Sequence, residues 1–268
     1  MKWSVIAAVN NERVLESCLL NSPGIKSAVE VILQKGYRSA PEAYNAAIEK
    51  ATTDLLVFVH QDVYLPENWF DSVQKAIETL TRTDPGWGVL GVWGAIDSER
   101  RAGYLYWTGE DDGGSPFEGV KEIKSLDEVV LVFRKSSGLR FDVRLPGYHM
   151  YGADICTEAI RRGKKCYAIS AFCIHNTNIG GFLPLQFWKC YLFMRWKWRN
   201  NLPIYTPCTQ VTFWCWPMFR WNLAYAKNWA LGRQKEFARV GNPRLLHQQL
   251  IDRGLPCAEG VREASQAE

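Results

Sequence analysis

Asp54-Leu55-Leu56-Val57-Phe58-Val59-His60-Gln61-Asp62-Val63-Tyr64-Leu65-Pro66 is the stretch that decides the fold. An apolar run, Leu55 to Val59, ends abruptly in a His and an Asp placed two apart. Such a run, bounded by polar residues, reads as a strand buried on both faces. In open α/β sheets ligands lie just beyond the carboxyl ends of the strands, which is where His60 and Asp62 fall. The competing account is turn chemistry, because Asp favours turns and caps helices. Pro66-Glu67-Asn68-Trp69-Phe70 does open a helical segment. On this stretch alone the two accounts weigh about equally.

Outward from it, the pattern alternates. Val5 to Val9 is a strand ending in Asn10-Asn11-Glu12, followed by a helix from Arg13 to Leu20. Ala28 to Leu33 is a second strand, ending in Gln34-Lys35-Gly36. Ser39 as cap, Pro41 in the first turn and Glu42 at capping-box spacing start a helix that runs to about Lys50. Strand and helix alternating in this way predict a parallel sheet with right-handed crossovers. Further on, the spacing predicts a helix from Trp69 to about Thr81 and strands over Val89–Trp93 and Glu128–Arg134. A helix over Gly152–Arg162 is closed by Gly163, and a last strand over Cys166–Ile174 ends at His175. Ser98 to Gly119, rich in Gly, Glu and Asp, reads as a long exposed loop, and long loops inside domains are usually functional or mobile.

Composition narrows the class. With 268 residues, 47% of them apolar, the chain can bury one sizeable core. The start enters a strand without a signal-peptide pattern, and no uninterrupted apolar stretch is long enough to span a membrane. The eight cysteines show no CxxC pair and no zinc-ligand spacing, so reduced, mostly buried thiols of a cytosolic protein are expected. The net charge of +4 is unevenly placed. Between Gln186 and Val240 nine Lys and Arg residues face only Glu236, and the same segment holds most of the twelve tryptophans. That segment is expected to meet something anionic, or something flat and amphipathic.

Several pieces, in order, carry a resemblance. They are Ala8-Val9-Asn10-Asn11-Glu12, Ala43-Tyr44-Asn45, His60-Gln61-Asp62-Val63, Leu126-Asp127-Glu128, Phe141-Asp142, Tyr151-Gly152-Ala153-Asp154-Ile155-Cys156 and His175. Together they resemble the GT-A nucleotide-sugar glycosyltransferases, in particular inverting family 2 and its bacterial branch with a His-Gln-Asp-Val motif. The resemblance covers roughly residues 3–205. It implies an α/β, Rossmann-like GT-A fold: a mixed, mainly parallel sheet flanked by helices, with an aromatic-rich helical C-terminal segment. The implied division is a catalytic domain over 1–184 (nucleotide-sugar side in 1–100, acceptor side in 101–184) and a C-terminal segment over 185–268.

The same resemblance assigns roles. Asp62 stands where the family's metal-contacting carboxylate falls, His175 matches its histidine ligand, and His60 takes the motif's first acidic position. The cofactor implied is a divalent metal, Mn²⁺ or Mg²⁺, acting as a Lewis acid on the leaving diphosphate. Val9, Asn10, Glu12, Gln34, Gln61 and Asp62 would line the nucleotide, with Gln34 where many relatives place an acid against uracil. Asp154 is the implied base that takes the acceptor's proton; relatives often carry a second acid at the position of Gly152, and His149 and Glu158 are the next suspects. For Asp154 the plain alternative is a helix N-terminal acid stabilised by the dipole. For His175 it is a strand-end histidine bonded to a carbonyl. Lys35 and Arg38 read equally well as diphosphate contacts or solvated loop charges, and Asn45 as a helix–loop hydrogen bond.

The implied partners are a nucleotide-diphosphate sugar, foremost a UDP-sugar, and a glycan or lipid-linked glycan acceptor in bacterial surface polysaccharide assembly. Aromatic residues interleaved with Lys189, Arg195, Lys197 and Arg199 suit a lipid headgroup boundary, a homodimer interface or core packing. No nucleic acid is expected as partner. The implied place is cytoplasmic, with peripheral contact at the inner membrane face. Glu110 to Gly119 is a candidate lid. Two rivals stand beside this reading: a non-catalytic sugar or nucleotide module on the same fold, and a nucleotidyltransferase, which would want a glycine-rich phosphate loop.

Overall fold

The computed structural model describes residues 1–109, 113–178, 183–232 and 238–254. Its strands, in chain order, are β1 (Trp3–Val9), β2 (Glu30–Lys35), β3 (Leu55–Val59), β4 (Val63–Tyr64), β5 (Leu90–Gly91), β6 (Trp93–Ala95), β7 (Arg101–Gly103) and β8 (Tyr106–Trp107). They continue as β9 (Val120–Ile123), β10 (Ser125–Leu126), β11 (Val130–Arg134), β12 (Cys166–Ile169), β13 (Ile174–His175), β14 (Ile204–Tyr205) and β15 (Gln210–Val211). The helices are α1 (Glu12–Ser17), α2 (Ala40–Lys50), α3 (Trp69–Thr83), α4 (Tyr151–Arg161), α5 (Leu185–Lys197), α6 (Trp216–Ala230) and α7 (Pro243–Asp252).

Seven strands form the central sheet in the order β2-β1-β3-β11-β5-β12-β9. β1 pairs in parallel with both β2 and β3, and β5 with β12, while β11 and β9 run against their neighbours. Five of the seven strands therefore point the same way. The apolar run Leu55–Val59 forms β3 in the middle of this sheet, and Leu56 to Val59 are buried. That burial on both faces is what an uninterrupted apolar strand requires. Helix α2 starts where its sequence asks: Ser39 Oγ accepts from the Glu42 amide at 3.4 Å. Helix α1 starts at Glu12, one residue early, because Asn11 caps it by accepting from the Val14 amide at 3.2 Å. β2 begins at Glu30 rather than Ala28, since Pro23–Ser27 forms a 3₁₀ turn just before it.

Three expectations need correction. Val89–Trp93 is not one strand: β5 belongs to the central sheet and β6 to a small sheet with β7 and β10. Within 98–119, residues 101–108 are not an exposed loop either, while 98–100 and most of 114–119 are exposed as expected. β7 and β8 lie in 101–108, and Ala102, Tyr104, Leu105 and Thr108 are buried. Gly103 makes this possible, because at φ +145° a Cβ would run into the Val92 carbonyl. The lid candidate 110–119 falls partly outside the described residues. Lastly, Cys166–Ile174 splits into β12 and β13, which sit in different sheets. β13 pairs antiparallel with β4, His175 opposite Val63. His175 therefore comes to Asp62 through this small sheet and not through the main one.

The C-terminal helices differ in their burial. Phe187, Cys190, Tyr191 and Met194 of α5 join the main core, whereas Met218 is the buried residue of α6. Leu250 of α7 packs with Tyr64, Phe172 and Ile174. The seven described cysteines are free thiols, five of them buried; Cys257 and the tail from Glu259 lie outside the described residues.

Candidate active site

The carboxyl ends of β1, β2 and β3 lie side by side, and the residues expected to meet a nucleotide gather along that edge. In register, Ala8 faces Gln34 and Val9 faces Lys35. Gln61 acts as a strut: its Oε1 accepts from the amides of Asn10 and Asn11, each at 3.0 Å, and its Nε2 donates to Asn10 Oδ1. Glu12 pairs with Lys35 at 2.6 Å, both well exposed. Arg38 lies in the bend before α2 and has no ion pair among the described residues. Gln34 is 4% exposed; its Oε1 accepts from Lys50 Nζ at 3.4 Å, and its Nε2 has no partner. A buried amide donor left unpaired costs about 1–3 kcal/mol. Asn45 holds the backbone of Phe141 from both sides, at 2.8 and 3.0 Å.

Beyond β3, His60, Asp62 and His175 converge, with one potential ligand atom of each within 4.8 Å of the others. His175 Nε2 lies 3.3 Å from Asp62 Oδ1, and His175 Nδ1 is buried without a partner. The Asn176 amide donates to the Asp62 carbonyl at 2.8 Å, which locks the two segments together. Burial first, and then the neighbouring imidazoles, push His60 down to about 4, so it is neutral and a competent ligand. Burial works against the charge of Asp62, yet His175, His60 and Arg239 outweigh it and hold the carboxyl well below the usual range. Burial also opposes charge on His175, but Asp62 overturns that and raises it. Two imidazoles and a carboxylate, with one buried ring nitrogen unpartnered, fit a divalent cation of the Mn²⁺ type better than Mg²⁺, which prefers an all-oxygen shell.

Asp154 sits in the first turn of α4, but it is 2% exposed and fully engaged. Lys197 Nζ donates to its two oxygens at 2.7 and 2.8 Å, and Trp198 Nε1 donates at 2.7 Å. Lys197 also reaches Asp142 at 3.0 Å. Asp154 thus ties α4 to the end of α5 and offers no open oxygen to an acceptor. Glu158 is held by Arg161 and Arg162, and His149 stacks near Phe187.

The carboxylate that the structure does bring forward is Glu128, part of the Leu126-Asp127-Glu128 stretch to which the resemblance assigns no role. It lies half-buried between β10 and β11, where the Gly152 amide approaches its Oε1 at 3.4 Å. It shares a crevice with Asp127, Met150, Ala153, Phe187 and Cys208. A Cβ at Gly152 would stand 2.6 Å from the Leu126 carbonyl, so the 126–128 segment fills the space of a side chain there. Burial, and then the charge of Asp127, push Glu128 up to about 8. Its backbone reaches the metal-type cluster through Tyr151, whose hydroxyl donates to the Glu128 carbonyl at 3.3 Å and lies 2.8 Å from His60 Nε2. Arg239 is a second residue that motif reading passed over; it was one cation in a basic run, and its bond to Asp62 spans 177 positions.

Against known proteins, the model of a glycosyltransferase-like family matches residues 4–180. A curated relative from Fuscovulum blasticum, named "ATP synthase subunits region ORF 6", is 33% identical over 130 residues, 45% of this chain and 50% of its own length. The chain thus spans about half the length of that relative. Among solved structures, GalNAc-T7 with UDP, GalNAc and Mn²⁺ superposes with a TM-score of 0.52 at 9% identity, over 75% of this chain and 50% of the other. S. aureus TarS 1–349 in complex with UDP-GlcNAc gives 0.48 at 13% identity, over 75% and 67%. The GalNAc-T7 likeness is one of fold: a helix-flanked sheet of GT-A type. With residues 4–180, about two thirds of its length, matched by that family's model, the chain belongs to the glycosyltransferase-like family.

Proposed function

We propose that this enzyme is an inverting transferase that moves a sugar from a UDP-sugar to a hydroxyl of a glycan or lipid-linked glycan, in bacterial surface polysaccharide assembly. The observation that carries the reading is the His60–Asp62–His175 cluster at the carboxyl edge of β3, beside the Asn10–Gln61–Gln34 edge. The unpaired Gln34 amide suits a pyrimidine carbonyl, which supports uracil as the base.

Transfer needs the leaving diphosphate neutralised as the anomeric bond breaks. His60, Asp62 and His175 would hold a divalent metal, and such an ion acts as a Lewis acid on phosphate oxygens. Neutral His60 and ionised Asp62 are already in the protonation states a metal ligand needs. Glu128 is the base in this reading. As the acceptor oxygen attacks the anomeric carbon and the bond to the diphosphate breaks, the hydroxyl proton passes to the Glu128 carboxylate. A base whose pKa lies near the working pH combines availability with proton affinity. Asp154, engaged by Lys197 and Trp198, is a positioning residue that fixes α4, and with it Tyr151 and Gly152, beside Glu128.

Helix α6 supports contact with the membrane face. Trp216, Phe219, Leu223 and Trp229 are exposed on it, with Arg220 and Lys227 among them. Between Ala159 and Lys235 the chain carries no Asp or Glu, so nothing opposes an anionic headgroup layer. Among the described residues no helix is long and apolar enough to cross a membrane, which suits a helix lying in the interface.

Calorimetry with UDP-, GDP- and dTDP-sugars, with and without Mn²⁺, tests the donor side. Micromolar, Mn²⁺-strengthened binding of a UDP-sugar and its slow hydrolysis are expected. Binding without any hydrolysis or transfer would favour the non-catalytic module. Repeating the titration with anionic vesicles should show the protein co-sedimenting with them but not with neutral ones; equal binding to both removes the membrane contact.

A further inference from the structure

Arg239, from the C-terminal segment, touches the metal-type cluster. Its Nη2 lies 3.2 Å from Asp62 Oδ2, and its Nε donates to the Asn176 carbonyl at 3.0 Å. The backbone beside it is clasped: Asn176 Oδ1 accepts from the Val240 amide at 2.8 Å, and Asn176 Nδ2 donates to the Val240 carbonyl at 2.9 Å. Asn176 is 1% exposed, and its own amide is bonded to the carbonyl of Asp62. Farther on, Leu250 anchors α7 on Tyr64 and Phe172. The strap over 238–254 is therefore fastened at both ends around the cluster, and Arg239 is held there by design of the backbone. Its side chain nevertheless keeps 29% exposure, so an incoming ligand can reach it.

Charge accounting gives this contact a meaning. Asp62 carries one negative charge and is shared between His175 and Arg239. A divalent cation held by Asp62 would draw on the charge that the guanidinium now pairs with and would place a like charge beside it. An anion between two like charges so close offsets their repulsion. A guanidinium has five N–H donors in a planar fork, and such a fork matches phosphate oxygens in pairs.

We infer that Arg239 is a diphosphate-binding residue of the donor site, parked on Asp62 until metal and nucleotide arrive together. This rests on the reading of the cluster as a donor site. Arg239 then competes with a metal that comes alone and cooperates with one that comes with a diphosphate. Both ligands would be felt by one side chain, with opposite signs.

The test uses the full chain and Arg239→Gln, whose amide can still donate to the Asn176 carbonyl but carries no charge. Calorimetry measures Mn²⁺ alone, then UDP at saturating Mn²⁺. Arg239→Gln should bind Mn²⁺ alone about tenfold more tightly and UDP about tenfold more weakly. Arg239→Lys, which keeps the charge without the fork, should restore the Mn²⁺ affinity and recover UDP only in part. If Arg239→Gln leaves both affinities unchanged, or weakens both together, the inference falls while the glycosyltransfer reading stands. If the wild-type chain binds neither Mn²⁺ nor UDP, the donor-site reading itself falls and takes this one with it.

Discussion

Two corners of the molecule each bury a carboxylate against a cation from the C-terminal segment, and they are built to opposite ends. At one, Asp62 meets His175 at 3.3 Å and Arg239 at 3.2 Å, one contact per oxygen, beside a ring nitrogen without a partner. At the other, Asp154 takes bonds of 2.7–2.8 Å from Lys197 and Trp198, and Lys197 is steadied by Asp142. Long contacts to exchangeable partners leave a carboxylate ready to change ligands. Short bonds from an ammonium and an indole leave it nothing to exchange. An acid at the start of a helix is therefore not a base by position; what its oxygens already do decides.

The largest effect should come from the open corner. Asp62→Ala should abolish Mn²⁺-strengthened donor binding and bring transfer to background, a loss beyond the roughly 10–100-fold caused by removing a metal's outer partners. Unchanged Mn²⁺ dependence in calorimetry would erase the contrast between the two corners.

Glu128→Gln comes next and sharpens the choice of base. Transfer should fall by about 10²–10⁴-fold with donor affinity kept. The pH profile adds a sign. Glu128 is held up to about 8, and only its deprotonated form can accept a proton. The wild-type rate should therefore climb as pH rises through about 8 and level off above it, and the Gln variant should lack that climb. A profile unaltered by the substitution would return the role of base to another group.

At the closed corner the effect should be on stability. Lys197→Met strands the buried Asp154 without its cation, which should cost about 3–5 kcal/mol, while Asp142 keeps Arg144. The melting temperature should drop on the order of 10 °C. Donor affinity of the folded fraction should stay as it was; a selective loss of transfer without a change in melting would make Asp154 catalytic after all.

Much of the scaffold was legible because it is local. The run Leu55–Val59 marks a doubly buried strand, and Ser39 with Glu42 marks a helix start, through forces acting within a few residues. The strands within 101–108 are hidden by the loop-like Gly and acidic composition around them, while Gly103 lets β7 lie against Val92. Cys166–His175 looked like one strand since its apolar content hides the break between two sheets. The shared aromatic and basic character of α5 and α6 likewise could not tell which would be covered; four residues of α5 are buried, against Met218 of α6.

By itself, then, the amino-acid order determined the alternation of strands and helices, and it put His60 and Asp62 just past the end of the central strand. Periodicity and capping act over a turn or two of chain, and one sequence contains them whole. The tertiary structure decided which groups meet: His175 with Asp62 through a two-residue strand, Glu128 with the Gly152 amide, Asp154 with Lys197, and Arg239 on the cluster from 177 positions away. Those meetings depend on how separate segments pack, and a burial pattern read along the chain carries no record of what lies across it.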